Sequence, residues 1–368
     1  MHQWFWYAAY IYIFVFAIVT SLIFTMIARA AARKLKVYDY PADHKIHADP
    51  TPLLGGAAIA GSVLATVVFN MALLGILDGR IPLAHDFNEY IFSYLGPDVI
   101  RKLAGLFAGG TLVFVLGLVD DIVMLRPETK LVGQIVAAIV VVSSGVRLDM
   151  FIPNPWLAGL VTLGWIVLMT NSLNLLDNMD GLCAGITAIM AFMLFMAVSP
   201  LQQTFTGVML LAVSGSAVGF LFYNFRSASI FMGDAGSMFC GYMLSSLAVI
   251  STFHVGGHTS RVAVLLPVLV MGVPLFDTLS IIFIRVRRGQ SIMKGDKRHF
   301  SHRLVKLGMT ETQSVVFIYL VTLVTGLGAV VLGQVTLRGG LTLLVQALGV
   351  FAIIVVLMSA GKSGAGAK

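Results

Sequence analysis

Charge is what this sequence has least of. Asp, Glu, Lys and Arg make up 11% of its 368 residues, against roughly a quarter in a soluble globular domain. That scarcity excludes an ordinary water-soluble fold. Cysteine is nearly absent too. Cys183 and Cys240 sit inside or at the edge of apolar runs, which excludes a disulfide framework or a zinc-ligand spacing and leaves two small buried hydrophobes. No internal repeat is visible, so the repeated halves of many transporters have no counterpart here. No Lys or Arg precedes the first apolar run, Trp4 to Ala28. That run is too long for the core of a signal peptide, and an uncleaved helix is expected.

What remains is oil. Hydrophobic residues reach 58%, mean hydropathy is +0.93, and uncharged runs of about 20 residues recur along the chain. In lipid every backbone amide needs an internal partner, so spanning segments are helices or closed barrels, and runs this solidly apolar mean helices. The expected class is an all-α polytopic integral membrane protein with one transmembrane domain over residues 1–358 and a flexible polar tail over 359–368. Eleven spans are expected (ten to eleven): about 4–28, 53–74, 103–119, 132–144, 156–173, 182–198, 207–222, 238–250, 262–284, 314–332 and 341–358. With the N-terminus outside and the C-terminus cytoplasmic, the inner segments carry 18 of the 24 Lys and Arg residues and the outer ones 6. This is the positive-inside asymmetry. The net charge of +7 is therefore a matter of topology and implies no nucleic-acid partner.

Five segments that this orientation puts on the cytoplasmic side carry the chemistry: "DYPADHKIHADPTPLLGG" (39–56), "DDIVMLRPETKL" (120–131), "NSLNLLDNMDGL" (171–182), "FMGDAGSM" (231–238) and "GDKRHFSHRL" (295–304). Asp120 and Asp121 end a span. An Asp at a helix centre costs roughly 2.5–3.5 kcal/mol on insertion scales; even at the interface two adjacent carboxylates repel and oppose the helix dipole. A divalent metal, Arg126 or Lys130 would offset them. Helical spacing places Asn171, Asn174, Asp177 and Asn178 on one face with Asp180 beside Asp177, a set suited to a hard cation and to a base or sugar. Asp234 lies between glycines at a helix start, where backbone and ligand approach closely and anions are favoured. The fifth segment gathers Lys297, Arg298, His299, His302 and Arg303, with His299 and His302 three residues apart and able to meet one phosphate; zinc is not expected there or at "HKIH". Asp277, inside a span after Pro274, is a candidate for either function or internal hydrogen bonding. Acids and amides for a cation, with Lys, Arg and His for phosphates, are the equipment of phosphoryl transfer at a membrane surface.

From about residue 33 to 310 the chain resembles the polyprenyl-phosphate N-acetylhexosamine-1-phosphate transferases. "DD…RPxxKL" is matched by Asp120, Asp121, Arg126, Pro127, Lys130 and Leu131. "NxxNxxDGxDGL" is matched by Asn171, Asn174, Asp177, Asp180, Gly181 and Leu182, with Asn178 where the family often has Gly. "GDxGS" is matched by Gly233, Asp234, Gly236 and Ser237, and "PTPxxGG" by Pro50 to Gly56. "DKRHFSHRL" is similar to the His-rich signature of the GlcNAc-1-phosphate branch, with Ser301 in place of a His and Lys297 in place of an Arg. The resemblance implies transfer of a sugar-1-phosphate from a UDP-sugar to undecaprenyl phosphate with release of UMP and with Mg²⁺ (Mn²⁺ as an alternative). It implies a site on the cytoplasmic face of the bacterial inner (plasma) membrane. By the same resemblance Asp120 and Asp121 are catalytic, and Asp234 and Asn174 are metal ligands. Lys45, Lys130, Asn171, Asp177, Asp180, Phe231, His299, His302 and Arg303 bind substrate. The implied partners are the UDP-sugar, undecaprenyl phosphate and membrane lipid, with a homodimer left open. Two other classes compete. An aromatic prenyltransferase would need a second Asp-rich loop, and an ion-coupled transporter would place its polar residues near mid-membrane.

Overall fold

A computed structural model describes residues 3–39, 50–77, 80, 96–148, 152–201, 203–251, 265–291, 298–332 and 335–364. Among these the protein is helical, apart from a two-residue antiparallel pair, β1 (Tyr38–Asp39) with β2 (Thr51–Pro52), and a 3-10 turn at Ser199–Leu201. The helices are α1 (Gln3–Leu35), α2 (Gly55–Leu77), α3 (Pro97–Val123), α4 (Pro127–Ser143), α5 (Pro155–Leu176), α6 (Leu182–Val198), α7 (Thr204–Asn224), α8 (Gly233–Ile250), α9 (Leu266–Val270), α10 (Gly272–Arg287), α11 (Phe300–Lys306), α12 (Glu311–Leu332) and α13 (Leu337–Gly364).

Each of the eleven expected spans falls on a helix, the ninth on the broken pair α9 and α10. Eight of the helices are long and apolar enough to cross a membrane by length and composition: α1, α2, α3, α5, α6 with the turn after it, α7, α12 and α13 up to Ser359. The sequence places its start signals plainly. Pro occupies the first position of α3, α4 and α5, where its missing N–H is harmless and its fixed φ suits a helix. The Asn154 side chain also caps α5 by accepting from the Trp156 and Leu157 N–H groups. Helix α13 runs on to Gly364, six residues past the end the sequence reading gives to the last span.

The helices differ sharply in how much lipid-facing surface they keep. Residues of the apolar window are 78% and 72% buried in α6 and α7 but 17% buried in α13. At the centre stands α8, whose neighbours are α2, α3, α5, α6 and α7 and whose residues from Ala235 to Ala248 are all buried. Its sequence, "GDAGSMFCGYMLSSLAVI", is small and partly polar, and small residues let helices approach closely in a membrane protein. The approach is measurable: a Cβ added at Gly56 would meet Gly236 N at 2.2 Å, and one at Gly117 would meet the Ala235 Cα at 2.5 Å. Both cysteines are free and buried, as the sequence implies.

Candidate active site

The site is assembled where α3, α5 and α7 end and α4, α6 and α8 begin. The residue after α3, Met124, turns the chain with φ +51°, and Pro127 starts α4 three residues later. This tight turn lets Lys130 reach back. Its ammonium pairs with the Asp120 Oδ2 and donates to Asp234 Oδ2 at 2.6 Å. The other Asp120 oxygen accepts the Leu125 N–H at 2.7 Å. Of the offsets the sequence suggests for the aspartate pair, the structure shows Lys130 on Asp120.

Asp121 is answered differently. Its Oδ1 accepts the Asp234 N–H at 2.7 Å and its Oδ2 the Ala235 N–H at 3.1 Å. A carboxylate from α3 thus caps the first turn of α8, where the helix dipole favours negative charge. Gly233 makes this fit possible. Its φ is +71°, and a Cβ there would meet Asp121 Oδ2 at 2.6 Å. The sequence reading leaves this helix start open for a ligand anion; the Asp234 and Ala235 N–H groups are instead taken by the protein's own Asp121.

The third acid comes from the stretch after α5. Asn171 and Asn174 lie on the last turns of α5, but the helix ends at Leu176. The helical spacing expected through Asn178 therefore fails. Residues 177–181 form a turn held by α7, α11, α12 and the loop between α7 and α8. Gly181 has φ +75°; its N–H is held by the Asn224 Oδ1 at 3.0 Å, and its carbonyl accepts the Tyr319 hydroxyl at 2.5 Å. Asp180 Oδ2 accepts the Ala228 N–H at 2.8 Å, tying this turn to the loop between α7 and α8. Asn178 Oδ1 accepts the Ser301 hydroxyl at 2.6 Å, tying it to α11. The Gly233 N–H lies beside the Asp177 carboxylate. Burial, and then the negative charges of Asp234, Asp121 and Asp180, push that carboxyl up to about 8 despite the N–H.

Asn174 lies beside the Asp234 carboxylate; its amide nitrogen is 3.4 Å from the Ser237 hydroxyl. Asn171 is engaged inside the bundle, donating to the Gln134 Oε1 at 2.5 Å and to the Val167 carbonyl at 2.8 Å. Phe231 forms a bridge with Leu53: its N–H donates to the Pro52 carbonyl at 2.8 Å, and its own carbonyl accepts the Gly55 N–H at 2.9 Å. "PTPLLGG" and "FMGDAGS" are thus laid side by side.

The basic side hangs from α10. Asp277 is fully buried; its Oδ2 lies 2.7 Å from the His299 Nδ1, and its Oδ1 accepts the Phe300 N–H at 2.5 Å. Arg303 donates to the Ser280 hydroxyl at 2.5 Å. The His299 and His302 rings are 6.4 Å apart. Lys45, His44 and His47 lie outside the described residues.

The structure thus brings Asp120, Asp121, Lys130, Asn174, Asp177 and Asp234 into one cluster, with Asp180 and Phe231 on adjoining loops. His299, His302 and Arg303 join it through the bond between Ser301 and Asn178. Sequence reasoning misses Asn224, Tyr319 and Gln134. Asn224, a lone amide at the end of an apolar span, carries a signal; Tyr319, inside α12, carries none. Among the described residues no three His, Cys, Asp or Glu side chains form a metal cage by themselves. The donors present fit magnesium nonetheless. It binds through one or two carboxylates completed by substrate phosphates and water, and the repulsion that adds to burial in lifting Asp177 is what a cation would relieve.

The chain is similar in sequence to known proteins. The family model described as "Glycosyl transferase family 4" matches residues 103–252, from α3 through α8. A protein of Bacillus subtilis (strain 168) named "Probable undecaprenyl-phosphate N-acetylglucosaminyl 1-phosphate transferase" is 33% identical, over 88% of this chain and 85% of its own. A "Decaprenyl-phosphate N-acetylglucosaminephosphotransferase" of Mycobacterium leprae is 32% identical over 81% of this chain and 77% of its own. A "Phospho-N-acetylmuramoyl-pentapeptide-transferase" of Desulforudis audaxviator is 32% identical over 61% of this chain and 72% of its own.

Proposed function

The chain belongs to the polyprenyl-phosphate N-acetylhexosamine-1-phosphate transferases of glycosyl transferase family 4, and on that premise we propose that it moves a sugar-1-phosphate from a UDP-sugar to undecaprenyl phosphate, releasing UMP. It is a multi-pass membrane enzyme of polyprenyl-phosphate N-acetylglucosamine-1-phosphate transfer in cell-envelope synthesis. The sugar is N-acetylglucosamine or a related N-acetylhexosamine. The membrane is the bacterial inner membrane, with the site on its cytoplasmic face.

One observation supports this reading above the others: four aspartates and Lys130, drawn from four separate segments, converge at one end of the bundle. An oxygen of the acceptor phosphate attacks the donor phosphorus that carries the sugar. The new P–O bond gives a polyprenyl diphosphate sugar. The bond from the attacked phosphorus to the bridging oxygen breaks, and its electron pair leaves on that oxygen, which stays with UMP. The acceptor phosphate is already ionised near neutral pH, so proton removal is a minor demand and positioning is the main one. Lys130, already between Asp120 and Asp234, would balance charge as the phosphates enter. Asp121 holds the start of α8, and so Asp234, in place. Asp180 and Phe231 line the loops where a uridine would lie, and His299, His302 and Arg303 supply donors to the diphosphate. Asp234 and Asn174 would hold Mg²⁺ (Mn²⁺ in its place), which when bound neutralises the diphosphate charge as a Lewis acid.

The test is direct. The purified protein is incubated with undecaprenyl phosphate, Mg²⁺ and a panel of UDP-sugars, and the lipid product is identified by mass while UMP is measured. A lipid carrying diphosphate and one N-acetylhexosamine, formed only with Mg²⁺ and lost with EDTA, is expected. Prenylation of an aromatic acceptor, or substrate flux without a lipid product, would replace the reading.

A further inference from the structure

One helical turn inward from the acid cluster, the same three helices meet again. On α4 the step runs from Lys130 to Gln134, on α8 from Asp234 to Met238, and on α5 back from Asn174 to Asn171. Each step spans three or four residues, so the two residues of each share a helix face. All three steps lead from the end that carries the site into the bundle. The inner tier is joined as the outer one is. Asn171 donates to the Gln134 Oε1 at 2.5 Å, and Gln134 donates to the Met238 Sδ at 3.1 Å. The Asn171 amide also donates to the Val167 carbonyl at 2.8 Å.

Gln134 is buried, and from Leu131 to Val142 it is the one polar side chain of α4. An unpaired amide is costly in such surroundings, and a paired one fixes which faces of two helices meet. Helix α4 has need of that. It packs on α3 and α5, keeps an exposed face of Val132, Val136 and Ile139, and reaches α8 through two long side chains, Lys130 and Gln134. Apolar contact is non-directional and lets such a helix turn or slide a little. A hydrogen bond has a preferred angle and resists both.

We propose that Gln134 and Asn171 are positioning residues: they set the register of α4 against α5 and α8 and so keep the Lys130 ammonium on Asp234. Asn171 acts through Gln134 and touches no substrate, contrary to what the sequence resemblance implies for it. This role rests on the phosphotransfer reading above, but its first readout needs no turnover.

The full chain in lipid nanodiscs is treated with a water-soluble carbodiimide, which joins a touching ammonium and carboxylate as an amide, and the linked peptides are quantified by mass spectrometry. Lys130 can link to Asp234 or, across the tight turn after α3, to Asp120. The ratio of the two links reports where α4 stands. Gln134→Met/Asn171→Leu replaces both partners by apolar groups of similar shape, which leaves no amide unpaired and should cost little stability. In it the Lys130–Asp234 link should fall about threefold or more relative to the Lys130–Asp120 link, and kcat about tenfold, since a small misplacement of a reacting group is enough. The double variant should be no worse in kcat than either single one, because both changes remove one bond. An unchanged link ratio, or an unchanged kcat, in the folded double variant overturns the proposal. So does a KM for the UDP-sugar that rises in Asn171→Leu but not in Gln134→Met, which would make Asn171 a substrate ligand. If the double variant does not fold, Gln134→Asn, too short to meet Asn171 in place, is read by the same two measures. If the unaltered protein converts no UDP-sugar, the proposed activity falls, while the link ratio still decides the register.

Discussion

The acidic and basic sides of the site are built in opposite ways. Most of the acidic side stands on the ends of long packed helices: Asp120 and Asp121 on α3, the amide of Asn174 on α5 and Asp234 on α8, while Asp177 lies in the turn after α5. These helices are wedged so closely that glycine at 56 and 117 is what lets the backbones meet. The basic side rests on α11, seven residues long, held by side chains: Asp277 and Ser280 from α10, Asn178 from the turn after α5. A short helix has little stability of its own, so its place is set by those bonds and by the buried Phe300 and Leu304, with Phe300 edge-on to Phe276 and Phe317. The acid side is fixed by the packing of long helices and the basic side by the docking of one short helix, and the two should fail differently.

The sharpest contrast is between two neighbouring acids. Asp234→Ala removes a carboxylate but leaves the α8 backbone capped. Activity should fall by about a hundredfold or more, the scale of losing one transition-state electrostatic contact, with melting temperature near the parent's. Asp121→Ala should lose activity and also about 1–2 kcal/mol of stability, as for a lost helix cap. Measuring UMP release and thermal unfolding of both separates the roles, and equal melting temperatures would break the distinction.

Next in size is the packing itself. Gly117→Val pushes side-chain atoms toward the Ala235 Cα, which lies 2.5 Å from the Cβ position. Overpacking of this kind costs about 1–3 kcal/mol and should separate α3 from α8, lowering both the melting temperature and turnover. An unaltered melting temperature would mean the wedge is not tight.

Asp177 probes the electrostatics. Its carboxyl is pushed up to about 8, so in metal-free protein the folded state holds a proton that the unfolded state has lost above the ordinary carboxylate range. Stability conferred by that proton is lost as pH rises toward the raised value. Asp177→Asn has no proton to lose. Its advantage in melting temperature, in EDTA, should widen from pH 6 to pH 8, by about 1 kcal/mol per pH unit, and level off above. A gap constant with pH would contradict the crowding of negative charge.

The smallest expected effect tests the link between the sides. Ser301→Ala removes the bond to Asn178 at a cost of about 1 kcal/mol and should change activity several-fold while the acid cluster keeps its Mg²⁺ response. A hundredfold loss would show that the basic side is held mainly by this bond.

Much of this was legible in the residues. Asp120, Asp121, Asp177 and Asp234 stand out because an acid is rare and costly in so apolar a chain, and positive-inside counting gathers their segments on one side. The spans follow from runs of oil, although two helices start earlier than those runs suggest, at Pro97 and Pro127. The turn at 177–181 was not legible. Local spacing continues the helix through Asn178, and it is Asn224, Tyr319 and Ser301, from three other elements, that bend the chain there.

By itself the sequence determined the helical membrane architecture, since hydrocarbon leaves backbone amides no partner outside the helix, and it determined which rare polar residues cluster. Only the tertiary structure decided what each does: that Asp121 caps α8, that Lys130 lies between Asp120 and Asp234, and that Asp277 carries His299. Such roles depend on contacts between residues a hundred or more apart in the chain, or on a short helix folded back on its neighbour. Composition and local period contain no information about which distant partner a carboxylate will meet.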